Sequence, residues 1–304
     1  MAYSSDVLVL TGMRMKFKPH WADEVWNPTT GCEKVSDGCT HCLAEQTVIL
    51  QQDRLQLPYD WFLPMRIFVN STGDLFHKDV PDSFITQVFM TIRDSPQHTF
   101  VLVTSRADRM RDYLCRWTLA DNGWIAAPGH HIGTIPVHRW PLRNLWVGVR
   151  IEDQSTAEDR IPYLIQTPAA VRFAYANPLL GQIDLSTLYT HRTSDGDLIR
   201  QSLIKYLDWV VAGGEIGEDS RPPHPNWIRL LRDQSYRAGV PFYFEGWGDW
   251  LVSSHMIPWI HDDTGIYAWP WKDIGDDTMM IRLGLQVDER FLDGREWNET
   301  PKIR

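Results

Sequence analysis

The chain lacks a membrane-sized apolar run: none of its hydrophobic stretches approaches the ~20 residues that a spanning helix needs. It is also short of positive charge. Thirty Lys and Arg stand against 39 Asp and Glu, a net charge of −9, which excludes a surface that coats nucleic acid generally and leaves room only for a local basic groove. The opening MAYSSDVLVLTGMRMKFKP has an apolar stretch but neither the preceding basic region nor the small-residue cleavage site of a leader, so a cytoplasmic protein without a membrane partner is expected. Cysteine is scarce. Of 4 cysteines, Cys32, Cys39 and Cys42 stand together and Cys115 stands alone, which is not a secreted disulfide framework. Tryptophan, by contrast, is plentiful at 15 residues, a side chain whose large ring and single polar N–H suit half-buried walls.

Apolar, β-branched runs recur at Arg66–Thr72, Thr99–Ser105, Leu145–Ile151, Ala170–Asn177, Leu207–Glu215 and Val240–Trp247, with a further short one near Glu24–Thr30. Such runs read as strands covered on both faces by helices. Helical patterns lie between them at Pro81–Asp94, Ala107–Trp117, Asp153–Gln166 and Pro225–Ala238, the last stopped by Gly239. Strands alternating with helices predict an α/β fold with a parallel sheet, open or closed into a barrel. Asp121–Leu142 and Tyr189–Gln201 read as insertions, and the Trp-rich 251–304 as a cap folded onto a main body of 1–250. In parallel folds the active site collects at the C-terminal ends of strands. Unusual residues gather there: Asn70, Ser71, Thr72 and Asp74, then Ser105, Arg150, Glu152, Asn177, Gly213, Gly214, Glu215 and Glu245.

The cysteines fall in Asn27-Pro-Thr-Thr-Gly-Cys32-Glu-Lys-Val-Ser-Asp-Gly-Cys39-Thr-His-Cys42, a C-x6-C-x2-C spacing. Thiolates select zinc, copper(I) or iron–sulfur clusters. Structural zinc is usually closed by four ligands, and here the fourth would have to be remote, such as His77 or Cys115. Cys115, in a helical pattern, reads as a small buried hydrophobe. Three thiolates without a fourth suit a [4Fe–4S] cluster with one iron open to chelate S-adenosylmethionine (SAM). The alternative is a zinc-stabilised nucleic-acid-binding module without catalysis.

Ten blocks, in order, resemble a bacteriophage family known by its three-cysteine motif and regarded as radical-SAM-like; among them are WNPTTGCEKVSDGCTHCLAE, VNSTGDLFHKDVPDSF, WPLRNLWVGVRIEDQ, LDWVVAGGEIG and GVPFYFEGWGDW. The resemblance implies a partial (β/α)6-type parallel barrel with the cluster loop after its first strand. It implies that Cys32, Cys39 and Cys42 ligate the cluster and that His41 lies against the adenine of SAM. Asn70, Ser71, Thr72 and Asp74 would hold the amino end of SAM, and Arg150 and Glu152 the ribose. Gly213 and Gly214 would let the backbone approach a ligand closely. An external electron donor is implied as a partner, and the cytoplasm is then the host cell's. Departures fall at strand ends: Ser105 where a Lys is usual, Asn177 where a CEPL block is usual, and Glu245 where a Lys is usual.

A Lys-to-Glu exchange reverses charge and favours a cationic group on the substrate. The family setting suggests a modified nucleobase in DNA or a nucleotide, in its sharpest form an amino-acid-decorated thymine rearranged by hydrogen abstraction. Glu245 or Glu215 would pair with its ammonium, with Asn177 beside them. For DNA itself the sequence offers Arg106, Arg109, Arg111 and Arg116 on one helix, and His138, Arg139 and Arg143 around Trp140.

Overall fold

A computed structural model describes residues 18–42, 44–119, 124–128, 134–192, 198–253, 271–284 and 289–302. Seven strands form one large sheet: β1 (Glu24–Trp26), β2 (Arg66–Val69), β3 (Thr99–Thr104), β4 (Leu145–Arg150), β5 (Val171–Ala176), β6 (Trp209–Gly213) and β7 (Phe242–Gly246). They lie side by side in chain order, and every neighbouring pair is parallel. Parallel neighbours need crossovers. Helices α1 (Asp82–Asp94), α2 (Ala107–Cys115), α3 (Gln154–Gln166) and α4 (Pro225–Ala238) supply four of them.

Local sequence explains the helix ends. At α3 the Asp153 carboxylate accepts the Thr156 N–H at 2.8 Å while Thr156 Oγ1 accepts the Asp153 N–H at 3.1 Å, a reciprocal cap. At α4 the His224 ring accepts the Asn226 N–H, Pro225 needs no donor partner, and Gly239 ends the helix at φ 68°.

Successive residues of a strand face opposite sides. Outward-facing Ile67, Phe100, Leu102, Val147, Val149, Ala174, Val210 and Phe244 join one core with Phe84, Val88, Met110, Ile161 and Leu231 of the helices. The inward face forms a second cluster that includes Trp21, Phe68, Val101, Trp146, Phe173, Tyr175, Trp209, Val211 and Tyr243. The expectation of helices on both faces is thus corrected: helices cover one face, and the other is covered by the sheet's own curl. Trp21 precedes β1, yet its ring centroid lies 5.6 Å from that of Trp209 on β6. In a flat sheet, strands five places apart are separated by about 24 Å. The sheet is therefore a half-barrel with an aromatic lumen.

The segment expected as a loop at Tyr189–Gln201 pairs Leu188–Arg192 with Leu198–Gln201. Within Asp121–Leu142, Trp124–Ala126 pairs with Thr134–Pro136. Beyond β7, Trp250–Val252, Met279–Arg282 and Trp271–Asp273 make a small antiparallel sheet. The chain then returns along β7: Phe244 N–H donates to Trp297 O at 2.9 Å and Trp209 Nε1 to Glu299 O at 2.8 Å. That return covers what would otherwise be an open sheet edge. No helix among the described residues is long and apolar enough to cross a membrane.

Candidate functional site

The cysteine loop follows β1 and crosses the C-terminal rim of the sheet. Cys32 sits nearest β2 and β3. Arg106, just past β3, donates from Nη1 to Cys32 Sγ at 3.3 Å and to Asp74 Oδ2 at 2.9 Å. Buried Asp74 also accepts the Thr104 hydroxyl (2.7 Å), the Phe76 N–H (2.9 Å) and the Ser105 N–H (3.1 Å). Burial and the Asp74 carboxylate push the Cys32 thiol up, against the pull of Arg106. Asn70 is spent on the same framework: Oδ1 accepts the Thr29 N–H, and Nδ2 donates to Thr29 Oγ1 at 2.6 Å. Ser71 donates to Asn27 Oδ1, and Thr72 O accepts the Gly31 N–H. The β2 end thus holds the root of the cysteine loop.

Two charged residues hold the loop further on. Glu152, buried at the end of β4, accepts the Ser36 hydroxyl at 2.5 Å and the Gly38 N–H at 2.8 Å. Arg160 of α3 lies 3.4 Å from the same carboxylate. Glu215, at the end of β6, receives Arg221 Nη2 at 2.7 Å and Nε at 2.8 Å, and His41 Nδ1 stands 3.3 Å from it. Burial opposes the Glu215 charge, but the Arg221 bonds hold its carboxyl below the ordinary carboxylate range. Arg221 reaches on to Asp37 Oδ2 at 2.9 Å and Asp37 O at 3.0 Å.

The lumen mouth is built by β4 to β7. Glu245 Oε2 accepts the Tyr175 hydroxyl (2.9 Å) and Asn177 Nδ2 (2.8 Å), while Oε1 is buried without a partner among the described residues. Burial outweighs those two bonds and the nearby Arg290 and Arg150, raising the Glu245 carboxyl to about 7. Arg150 lies over the Tyr175 ring at 5.7 Å and donates to Asn177 O at 3.0 Å. A side chain at Gly213 would meet Asn177 Nδ2 at 2.7 Å, and one at Gly214 would meet Trp247 O at 2.0 Å. The close approaches that these glycines allow are to the chain's own Asn177 and Trp247.

The strand-end residues expected from sequence are therefore brought to one rim, in two groups. Asn70, Ser71, Thr72, Asp74, Glu152, Glu215 and His41 surround the cysteine loop; Arg150, Asn177, Gly213 and Glu245 surround the lumen mouth. Sequence reasoning did not single out Arg221, Arg160, Ser36 or Tyr175. Tyr175 had a signal, since it lies two residues before Asn177 and so on the same strand face as Phe173. Arg221 had none, being 184 residues from Asp37.

Two expectations are corrected. Cys115 is exposed, not buried, and its thiol contacts Gln166 O on the outer layer. The arginine helix does not present a free basic face: Arg109 is turned onto the carbonyls of Phe76, His77 and Val80, Arg116 onto Asp82, and Arg111 onto Gln166 and Asp112. Arg106 is on Cys32 and Asp74. Trp140 stacks on Trp117 at 4.8 Å. His77, named as a distant zinc ligand, stands 3.7 Å from Glu33 beside the loop root.

Three free thiols in one loop suit, in kind and number, a cluster with one open iron. Their convergence is incomplete: among the described residues no three His, Cys, Asp or Glu side chains are grouped as metal ligands. Cys39 is close enough to act on the Cys32 thiol, whereas Cys42 is exposed and takes the Ala44 N–H at 3.5 Å. A metal group held by all three sulfurs requires them to draw together.

Fold and rim together define an α/β protein whose curled parallel half-barrel carries a three-cysteine loop across the C-terminal ends of its strands. The chain belongs to the family described as protein of unknown function (DUF5131), which it matches over residues 17–301. No curated protein matches it. Among solved structures it is similar to a spore photoproduct lyase mutant, at 10% identity over 88% of this chain and 72% of that one, with a TM-score of 0.39.

Proposed function

We propose that the chain is a radical SAM enzyme that holds a [4Fe–4S] cluster on Cys32, Cys39 and Cys42 and acts on a modified nucleobase, in DNA or as a nucleotide. The observation that carries this reading is the seating of three free thiols in one loop, on the rim where a parallel half-barrel presents its reactive groups. When bound, the cluster supplies the electron that opens the SAM sulfonium and yields a carbon radical able to take a hydrogen atom. An external electron donor would be its partner.

The chain's own residues bind, orient and exclude water. The aromatic floor fills the lower lumen, so a substrate of Glu245 would approach from the rim. Glu215 is taken up by the Arg221 side chain and backbone N–H, with His41 Nδ1 3.3 Å away. Glu245 is the carboxylate left to meet substrate, through Oε1. An ammonium there would stabilise the ionised form and draw its pKa down from about 7. Tyr175 and Asn177 fix its other oxygen, and Arg150 is held over the Tyr175 ring. An amino-acid-decorated thymine of phage DNA, rearranged beside its amine, is the substrate whose ammonium matches a buried carboxylate with one oxygen unpartnered among the described residues.

Anaerobic reconstitution with iron and sulfide tests the reading. A brown protein with about four irons per chain, cleaving SAM to 5′-deoxyadenosine under reducing conditions, is expected. A colourless chain that retains stoichiometric zinc would establish the binding-module alternative instead. Nucleoside digests of phage DNA treated with and without the enzyme then test the substrate: unchanged masses overturn the nucleobase assignment.

A further inference from the structure

We infer that Glu152 and Arg221 are positioning residues of the cysteine loop: they grip the turn that ends at Cys39 from two sides and leave Cys42 exposed beyond it. Both grips fall on one short turn, Asp37–Cys39, and the residue before it. From the β4 side, Glu152 takes the Ser36 hydroxyl and the Gly38 N–H. Glu152 is itself fixed, by buried Arg160 and by the Thr156 hydroxyl, which accepts the Glu152 N–H at 2.8 Å. From the β6 side, Arg221 holds both the carboxylate and the carbonyl of Asp37 while it is anchored on Glu215. Each grip uses an ionised group, the stronger kind of hydrogen bond. They come from different strands and share no partner, so neither depends on the other.

The fit is close as well as charged. A Cβ on Gly38 would stand 2.5 Å from Glu152 Cδ, closer than any real contact, so glycine is what lets the turn lie on the carboxylate. This gives the C-x6-C spacing a physical reason. The six residues after Cys32 carry Ser36 to Gly38 across the ends of β4 and β6 before returning a sulfur to the rim. Cys42 lies beyond both grips and is exposed, while its neighbour His41 stands 3.3 Å from Glu215 and the Cys32 N–H donates to Glu45 O at 2.7 Å.

Residue-resolved alkylation of the metal-free chain, read by mass spectrometry, tests the grips without any assumption about metal. Cys39 is expected to react more slowly than Cys42 in the wild type. Gly38→Ala and Arg221→Gln should each speed Cys39 about tenfold, the effect of losing one charge-assisted hydrogen bond that opposes local opening. Glu152→Gln, which keeps an acceptor, should raise it less. Cys115 on the outer layer should keep its rate in all three. An unchanged Cys39 rate in Gly38→Ala and Arg221→Gln overturns the inference. So does an equal rise at Cys39 and Cys115, because that is general loosening. The second readout, the half-life of bound iron under chelation, rests on the cluster reading and should shorten several-fold in the same variants. A wild-type chain that takes up no iron sinks the cluster reading and leaves the alkylation rates to decide the grips.

Discussion

Along the lumen of the half-barrel, the lower layer holds Phe68, Trp146, Phe173, Trp209 and Tyr243 with Trp21 laid across them, and the upper layer holds Arg150, Tyr175, Asn177, Gly213 and Glu245. The layers sit on the same strands. Tyr243 and Glu245 are two residues apart on β7, as are Phe173 and Tyr175 on β5, and i and i+2 share a strand face. Below, Trp209 meets Trp21, Trp146, Phe173 and Tyr243 with ring centroids 5.4 to 5.9 Å apart, mostly edge to face. Above, a carboxylate is buried with one oxygen unpartnered among the described residues and its proton retained near neutrality. One rise of about 7 Å along a strand separates a layer built to be stable from a layer that gives up stability to keep a carboxylate desolvated.

Trp209→Ala is the sharpest way to break that contrast. It removes the ring at the centre of the floor and should cost about 3–5 kcal/mol, read by denaturant unfolding. A loss below about 1 kcal/mol would mean that the floor does not hold the curl. The rim should respond with the opposite sign. Glu245 has a folded pKa of about 7, above its ordinary 4.5, so the native state holds this proton more tightly than the unfolded chain. Stability contributed by the protonated form is then present below about pH 4.5 and lost as pH rises through about 7, by roughly 1–3 kcal/mol. Glu245→Gln should remove that fall, leaving the variant more stable than wild type at about pH 8. A variant less stable at both ends of the range would show that the carboxylate is structural, as the floor is.

Much of this contrast was legible in the chain. The seven strands fall on the β-branched runs, and the residues singled out at their ends do share one rim, because in a chain-ordered parallel sheet every strand points the same way. The curl was expected only through the family resemblance, as a partial barrel; the strand runs themselves left the sheet open or closed, although a local signal is present. Trp146, Phe173, Trp209 and Tyr243 all lie on the inward sheet face, Phe173 opposite Trp209 but Trp146 opposite Val171 and Tyr243 opposite Val211, a staggered aromatic pattern hidden inside runs that are apolar at most positions. The rim's internal accounting was not legible at all. Whether Glu152 faces a ligand or the loop, and whether Arg106 belongs to a basic surface or to Cys32, depends on contacts between residues more than seventy positions apart. Local pattern carries no information about such pairs, so a polar residue at a strand end reads the same whether it is offered to a substrate or consumed by a neighbour.

The smallest stability effect is expected at the rim's outermost sulfur, and it sharpens the comparison most. Cys42 is exposed, lies past both grips on the loop, and its thiol takes only the Ala44 N–H at 3.5 Å among the described residues. Cys42→Ala removes little buried surface and no charged bond, so unfolding should shift by no more than about 0.5 kcal/mol. Iron uptake on reconstitution should nevertheless be lost, since two thiolates cannot hold a cluster that needs three from the protein. A residue whose removal leaves the fold unmoved and abolishes the metal group is the converse of Trp209. If the variant unfolds with the floor, or keeps its iron, Cys42 is not a sulfur that serves the metal group without serving the fold.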